Sequence, residues 1–475
     1  MIIIYLIAAI ALSLGLFLNR STLVNNLLLL VFVVLQAGFT IYECFNLNTI
    51  QFGFFKPDAI AVLLLITLSI VSIPAIFHSH IYLVTHRETK PRVRAIYFSA
   101  MVLLITSIGM AYLANHIAVT WIFVEITTLC ASALIYHHRN ERSLEGTWKY
   151  VFICAISVSF IFIGILFLSM AMQQAGSTDL SFANLLVKAP MLNMFWLRLS
   201  FLFIFTGFTA KLGLVPMYTA GIDAKDKAPA PAAALFSTVL MNMGFLGIFR
   251  VYVVISHTPL HSWANNVILI AAFLSVFVAA VYMMKVKNIK RMFAYSSIEQ
   301  MGIAMLGFAA GGIGYYAAIL HIILHSFVKS SLFFQFNQVY RIYQSKSIYD
   351  TGNYFKYNVT GAMVLLFGFL FITAMPPSGM FVSEFMVFRS MFVAHHILLL
   401  VAVLILLTVI IWAFGKSMFK LLFAPPVGFD ESSVVKINPL LSLSQFALLG
   451  LSVYLGLNPP AQFVALIKEA IINLP

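Results

Sequence analysis

Apolar residues along this chain gather in long runs that are separated by short polar connections. Each run covers about 18–25 residues, the length that an α-helix needs to cross the hydrocarbon core of a bilayer. The pattern predicts an all-α polytopic membrane protein with about fourteen transmembrane helices. The predicted spans are 2–18, 23–42, 58–78, 95–113, 116–136, 148–172, 196–219, 229–254, 265–285, 290–310, 314–343, 359–393, 396–423 and 439–456.

Two of these spans are interrupted. The span 196–219 carries Lys211 near its middle and Pro216 shortly afterwards, and the span 359–393 contains the sequence Met375-Pro376-Pro377-Ser378-Gly379. Proline has no backbone N–H, so each interruption leaves carbonyl groups without helical partners inside the membrane. We therefore predict two broken helices.

The order of the broken helices predicts an internal repeat. They lie an odd number of spans apart, which would invert the second unit in the membrane relative to the first. Broken helices at matching positions of two inverted units are typical of transporters with sites near the membrane midplane. We predict two inverted five-helix repeats, with an N-terminal three-helix segment 1–94, transport units 95–255 and 256–423, and a C-terminal helix and tail 424–475.

Composition argues against a sizeable soluble domain. Hydrophobic residues make up 62% of the chain and charged residues 9%, whereas soluble domains carry about 25% charged residues. The first apolar run lacks a basic n-region and a small-residue cleavage site, so we expect a retained helix rather than a signal peptide. The cysteines Cys44, Cys130 and Cys154 are scattered and form no Cys-x-x-Cys motif, which argues against a thiolate-bound metal on this chain.

The net charge of +13 indicates membrane topology rather than nucleic-acid binding. Cytoplasmic loops of membrane proteins are enriched in lysine and arginine, and the basic loops of this chain alternate with loops that carry few such residues. The alternation predicts basic loops in the cytoplasm and both termini outside. The basic loops lie at 20, 87–94, 139–142, 225–227, 285–291, 341–356 and 416–436.

Lys211 and Glu125 are the first candidates for chemistry. A lysine at the centre of a membrane helix costs about 2.5–3.5 kcal/mol on insertion scales, so such residues are paired, hydrated or functional. Glu125, central to its own span in WIFVEITTLCASAL, would reduce that cost by facing Lys211, and each group could then release a proton. The alternative is a neutral Glu125 that is hydrogen-bonded to Thr127, to Thr128 or to another helix.

The segment HIILHSFVKSSLFF places His321, His325 and Lys329 at i, i+4 and i+8. On a helix these residues share one face over about 12 Å. Histidine exchanges protons near neutral pH, and a desolvated lysine does so as well. The stripe predicts a proton relay, and the alternative is ordinary packing. A zinc site would need a further ligand, and a bis-histidine haem would need ligands from two helices.

Further charged residues are weaker candidates. Glu384 follows the Pro-Pro-Ser-Gly break and combines an ionisable group with free backbone. Glu299 is a secondary candidate that could instead be an ordinary helix-start carboxylate. Lys149 could line a cytoplasmic mouth or extend to the headgroups, and Asp223 lies in a charged turn. We expect solvated or headgroup positions for Lys225, Asp226, Lys227, Arg250 and Arg389.

These motifs resemble those of the antiporter-like, proton-translocating subunits that are shared by respiratory complex I, Mrp-type cation/proton antiporters and membrane-bound group 4 hydrogenases. The resemblance runs from about Ala95 to Phe423. RNERSLEGTWKYVFIC and YSSIEQMG are most similar to the hydrogenase-4 component F branch. The segments that carry the resemblance are WIFVEITTL, LEGTWKYVFIC, TAKLGLVPMYTAGIDAKDKAPAPAAALFS, KRMFAYSSIEQMGI, HIILHSFVKSSLFF and PPSGMFVSEF.

The resemblance implies a fourteen-helix fold in the cell inner membrane and a line of proton-carrying residues. In that family the glutamate that matches Glu125 pairs with the lysine that matches Lys211. Protons then pass through a hydrated chain to the second unit and on to Glu384. Cofactors are expected on partner subunits, namely a nickel–iron or related catalytic subunit, iron–sulfur proteins and a membrane anchor, and none on this chain.

The chain departs from the family pattern at two places. Asn242 stands where the family commonly has a lysine, and an amide cannot carry a proton as a cation. The turn from Pro216 to Lys225 lacks both histidines and the tryptophan that the family usually has there.

We therefore predict a proton-translocating, non-catalytic membrane subunit of a redox-driven complex. One alternative is an Mrp-like cation/proton antiporter subunit or an ion-driven uptake subunit, which would use the same residues with protons or sodium. A haem-binding electron carrier is an alternative from another class, although His321 and His325 lie on a single helix.

Overall fold

A computed structural model describes residues 1–85, 90–426, 429, 431 and 434–475. Arg87, from one predicted basic loop, lies outside the described residues. The regular secondary structure of the described residues is helical. In chain order the helices are α1 Ile2–Leu18, α2 Thr22–Phe45, α3 Ala59–Thr85, α4 Pro91–Leu113, α5 Ile117–Ile135, α6 Glu141–Gln174, α7 Phe182–Lys188, α8 Met194–Leu212, α9 Thr219–Lys227, α10 Ala230–Ser237, α11 Val239–Ser256, α12 His261–Lys285, α13 Ile289–Ala310, α14 Ile313–Tyr343, α15 Tyr354–Tyr357, α16 Val359–Ile372, α17 Gly379–Val393, α18 Ile397–Phe423, α19 Leu443–Leu457 and α20 Ala461–Ala470.

The helix lengths confirm an all-helical, multi-span membrane protein. Within the described part of the chain, 11 candidate spans are long and apolar enough to cross a bilayer. Of the three other predicted spans, the first corresponds to α1, which is shorter, and the second to α13, which is more polar. The third is broken into α16 and α17. The number of about fourteen spans therefore stays a prediction.

Packing groups the chain into two compact units. Unit 1 consists of Met1–Pro229, Val239–Val267 and Ala465–Pro475, and unit 2 consists of Ala230–Thr238 and Ile268–Val464. The division of the sequence at residues 94, 255 and 423, and the inverted repeat that it implies, stay predictions.

The first predicted break lies at the end of α8, and a glycine produces it. The helix stops at Leu212, and Gly213 has a φ of 82°, a left-handed conformation that glycine adopts without a steric penalty. The N–H groups of Gly213 and Leu214 both donate to the carbonyl of Thr209, at 2.8 and 3.0 Å. The helix therefore ends before Pro216 is reached, and Lys211 lies in its last turn.

A second glycine brings α11 against this helix end. A Cβ atom on Gly244 of α11 would lie 2.4 Å from the backbone nitrogen of Leu212, closer than any larger residue allows. Glycine at this position therefore permits direct backbone contact between α11 and the turn that carries Lys211.

The second predicted break is present between α16 and α17. The Pro376-Pro377 pair lies in the connection, and the Ser378 hydroxyl oxygen accepts a hydrogen bond from the N–H of Phe381 at 3.1 Å. This side-chain cap starts α17, which carries Glu384.

Arg250 differs from the expected headgroup position. Its side chain is buried, with 6% of the residue exposed, and its guanidinium lies 3.2 Å from the Asp58 carboxylate and donates to the carbonyl of Tyr112 at 2.8 Å. The expectation for Arg250 was wrong because a partner from the start of α3 lies within reach. Arg389 is exposed.

Candidate functional site

Lys211 lies in the interior of unit 1 and is held by neutral groups. Its Nζ donates to Thr128 Oγ1 of α5 at 2.7 Å and to the Tyr150 hydroxyl of α6 at 3.4 Å, and it lies 5.4 Å from the centroid of the Tyr150 ring. The buried thiol of Cys154 lies beside it. Hydroxyl hydrogen bonds and a ring face thus compensate part of the cost of burying the amine.

Glu125 lies near this lysine without making an ion-pair contact with it. One turn separates Glu125 from Thr128 on α5, and its carboxylate is within electrostatic range of Tyr150 and Cys154. One of its carboxylate oxygens is buried without a hydrogen-bond partner. The alternative with a threonine partner is not seen, because the hydroxyls of Thr127 and Thr128 donate to the carbonyl of Val124.

The charged segment after α8 is a helix, α9, and two of its charges are buried. The exposed fraction is 3% for Lys225 and 1% for Asp226, so the expected solvated positions were wrong for both residues. Asp226 forms an ion pair with Lys227 at 3.0 Å. The Nζ of Lys225 lies 3.2 Å from the thioether sulfur of Met241 on α11.

Lys225 is a functional candidate that sequence reasoning missed. Burial lowers the pKa of Lys225 to about 7, because loss of water disfavours the charged amine. No local feature of the sequence singled it out from the neighbouring charges. A run of alternating charges conceals such a residue, because only tertiary packing decides which charge turns inward.

The remaining secondary candidates of unit 1 lie in different surroundings. Lys149 is 53% exposed in its side chain and pairs with Glu145 one turn earlier on α6, an arrangement of the kind that contributes little to stability. Asn242 is buried in α11, directly after the methionine that contacts Lys225. Asp223 is half-buried on α9.

The stripe of α14 is buried in the interior of unit 2 and contacts two other helices. His321, His325 and Lys329 are all fully buried. His321 Nδ1 is hydrogen-bonded to Ser383 Oγ of α17 at 3.0 Å. Lys329 Nζ donates to Ser296 Oγ of α13 and lies over the ring of Phe293. The stripe therefore joins α17 at one end to α13 at the other.

Two carboxyl groups from those helices line one small cavity. Glu299 of α13 and Glu384 of α17 both face a space of about 10 Å³, which is on the order of one water molecule. Gln300 donates to Glu299 Oε1 at 2.8 Å and to the carbonyl of Ile372 at 2.9 Å. Glu299 lies in mid-helix, so the helix-start interpretation was wrong.

This arrangement can store and move protons inside unit 2. A proton can pass between the two carboxyl groups through one bridging water, while the imidazoles and amine of α14 supply further titratable groups. Glu299 is within electrostatic range of Lys329 and of Glu384, so a change of charge at one group affects the others.

Comparison with known proteins decides the family. Residues 114–410 match the family described as NADH:quinone oxidoreductase/Mrp antiporter, transmembrane. The chain belongs to this family. The resemblance inferred from the motifs is thereby confirmed, and the match includes every residue of the two clusters described above.

Individual relatives are similar over most of their length. The chain is 28% identical over 407 residues to a hydrogenase-4 component F homolog of Methylacidiphilum infernorum, which covers 83% of this chain and 84% of the relative. It is 26% identical over 451 residues to NADH-quinone oxidoreductase subunit N 2 of Rhizobium meliloti, which covers 92% and 89%. A chain of the membrane-bound sulfane sulfur reductase, an archaeal respiratory membrane complex, shares the fold with a TM-score of 0.86 at 19% identity and covers 100% of this chain and 96% of that chain.

Proposed function

We propose that this chain is the antiporter-like, proton-translocating membrane subunit of a redox-driven complex that is similar to hydrogenase-4 or complex I. One observation carries the proposal: the amine of the buried Lys211 donates a hydrogen bond to the neutral hydroxyl of Thr128. A buried contact ion pair strongly resists loss of one partner's charge, whereas an amine held by a hydroxyl can gain or lose its proton more readily.

Coupling between the charged groups would be electrostatic. Two unit charges on the order of 8 Å apart interact by about 2 kcal/mol at an effective dielectric near 20. This energy changes a neighbouring protonation equilibrium by about thirtyfold. A redox event in a partner that alters the charge near Glu125 or Lys211 would therefore load or release a proton there.

Within unit 2, the relay consists of His321, His325, Lys329 and Glu384, and we add Glu299. Fourteen spans, two inverted five-helix repeats, basic loops in the cytoplasm and a location in the cell inner membrane are part of the same proposal. The redox centres would lie on partner subunits, as the names of the hydrogenase and NADH-quinone oxidoreductase relatives suggest.

Gentle purification followed by reconstitution tests this function. The chain is expected to co-purify with redox subunits, and the purified complex in liposomes should acidify or alkalinise the lumen only while its electron donor and acceptor are present. A pH-sensitive dye measures this change. Sodium-dependent collapse of an imposed pH gradient by a complex without redox subunits would instead establish the Mrp-like alternative.

If protons are delivered through Lys225, the rate of redox-driven proton translocation is expected to fall in a step as the pH rises. With a pKa of about 7, the protonated fraction of Lys225 falls as pH rises through that value, and the rate of proton delivery through it falls in the same interval. Lys225→Met should lose the step and leave a low rate that depends little on pH. Lys225→His should restore a step at lower pH, since the ordinary pKa of histidine is about 6.5.

The measurement is the rate of redox-driven proton translocation in proteoliposomes over a pH series. Equal protein amounts and unchanged thermal denaturation midpoints show that the variants are folded. An unaltered pH step in Lys225→Met would exclude this role for Lys225 while leaving the function of the complex intact.

A further inference from the structure

Unit 2 has a basic groove at the ends of two membrane helices. The groove has a volume of about 510 Å³ and lies between the C-terminal end of α12, the connection after α14 and the last turns of α18. Among its lining residues are Lys285, Lys287, Lys416, Lys420, Tyr349 and Trp412. All four lysines lie in or beside loops of the basic set, on the side that the charge alternation assigns to the cytoplasm.

The four lysines have no acidic partner among the residues that the structure describes. Three of them lie against aromatic rings instead. The ammonium of Lys420 is 4.3 Å and that of Lys287 is 5.6 Å from the centroid of Tyr349, and Lys416 is 5.4 Å from the centroid of Trp412. Several like charges around one groove repel one another, so an anion that enters is favoured by all of them.

The base of the groove is held by backbone hydrogen bonds. The N–H of Ile348 donates to the carbonyl of Lys287 at 2.9 Å, and the N–H of Ile289 donates to the carbonyl of Lys346 at 3.0 Å. These bonds fix the connection after α14 against the connection after α12. Lys287 and Tyr349 are thereby anchored to a common backbone frame.

The surroundings of the groove are those of a bilayer interface. Trp412 is 60% and Tyr349 is 51% exposed, and Met284 and Phe419 present further exposed apolar surface on the same two membrane helices. Tryptophan and tyrosine favour the headgroup level of a membrane, where one side of the ring is apolar and the other is wet. An amphipathic ligand in this groove would thus contact lysine side chains with its polar end and apolar side chains with its hydrocarbon part.

We propose that this groove binds the phosphate headgroup of an anionic phospholipid, with the acyl chains along α12 and α18. Basic pockets between membrane helices on the cytoplasmic side bind such headgroups, and the volume lies in the range that holds a small molecule. Four lysines suit a lipid with two phosphates, such as a cardiolipin. The site is separate from the buried proton-carrying groups, and it shares with the proposed function only the orientation of the basic loops, not proton translocation.

Native mass spectrometry of the full-length protein tests the site. The protein is reconstituted in nanodiscs of phosphatidylcholine with a minor fraction of cardiolipin, extracted in mild detergent and examined for retained lipid. Wild-type protein should retain cardiolipin in preference to phosphatidylcholine. Lys416→Gln/Lys420→Gln should reduce the apparent affinity for cardiolipin by about thirtyfold, since one lysine near an anionic lipid surface contributes about fivefold.

The matched control removes two exposed positive charges elsewhere in the basic loops. Arg92→Gln/Arg142→Gln should retain cardiolipin as the wild type does. Equal retention by the lysine variant and this control would overturn the site. Displacement of the lipid by inorganic phosphate at low concentration would show that the groove is a free-anion site. Occupation of the groove by a neighbouring protein subunit in the intact complex would show that it is a protein interface. Either result would overturn the lipid assignment.

Discussion

Replacement of Lys211 by methionine is expected to reduce redox-driven proton translocation by about a hundredfold or more, the usual effect of removing a positioned proton carrier. Methionine keeps most of the length and packing of the lysine stem but cannot hold a proton. Removal of a buried amine also removes a desolvation cost, so the variant should still fold and assemble. The measurement is dye-reported proton translocation in proteoliposomes containing the purified complex.

Two further variants test whether a loss of translocation in Lys211→Met comes specifically from the missing proton carrier. Lys468→Met removes an exposed lysine of α20 and should leave translocation at the wild-type rate. Lys211→Arg keeps a positive charge that stays protonated at any accessible pH. If Lys211 releases its proton in each cycle, the arginine variant is inactive as well; wild-type pumping by both Lys211 variants would contradict the proposed mechanism.

The second large effect is expected at the cavity between α13 and α17. Glu299→Gln and Glu384→Gln should each reduce translocation by about a hundredfold, because an amide fills the same space without exchanging a proton. If both groups form one relay, the double variant should be no slower than the slower single variant, since residues that act as a unit are strongly non-additive. Translocation rates of the three variants, measured in one preparation, provide this comparison.

A matched control comes from unit 1. Glu43 is a buried carboxyl group that accepts a hydrogen bond from Gln51 at 2.8 Å, and Glu43→Gln should preserve translocation. Multiplicative losses in Glu299→Gln/Glu384→Gln would indicate two separate steps, and an unaffected Glu299→Gln would remove Glu299 from the relay.

Membrane spans and helix breaks could be predicted because each depends on the local sequence of a single segment. The runs of apolar residues, the Pro-Pro-Ser-Gly sequence and the spacing of His321, His325 and Lys329 each depend on one segment of chain. Burial of ionisable groups within these apolar segments was also expected, because a charge on a membrane helix has few alternatives.

The environment of individual charges could not be predicted in the same way. Lys225 is buried because α9 packs against neighbouring helices, and Arg250 is buried because Asp58, distant in sequence, reaches it. For Glu299, the sequence left open an ordinary helix-start position, but α13 begins well before it, after the capping residue Asn288. For Lys211, the sequence suggested a carboxylate partner, whereas the structure provides hydroxyls.

The position of Lys211 in the last turn of α8 has an electrostatic consequence. The aligned peptide dipoles of a helix place about half a negative charge at its C-terminal end, and a cation there gains about 0.3–1 kcal/mol, or up to about 2 kcal/mol when partly buried. Because Gly213 ends the helix inside the unit, this field acts directly at the amine. The lysine therefore has a permanent counter-charge that does not itself titrate, so its compensation persists whatever the protonation state of Glu125.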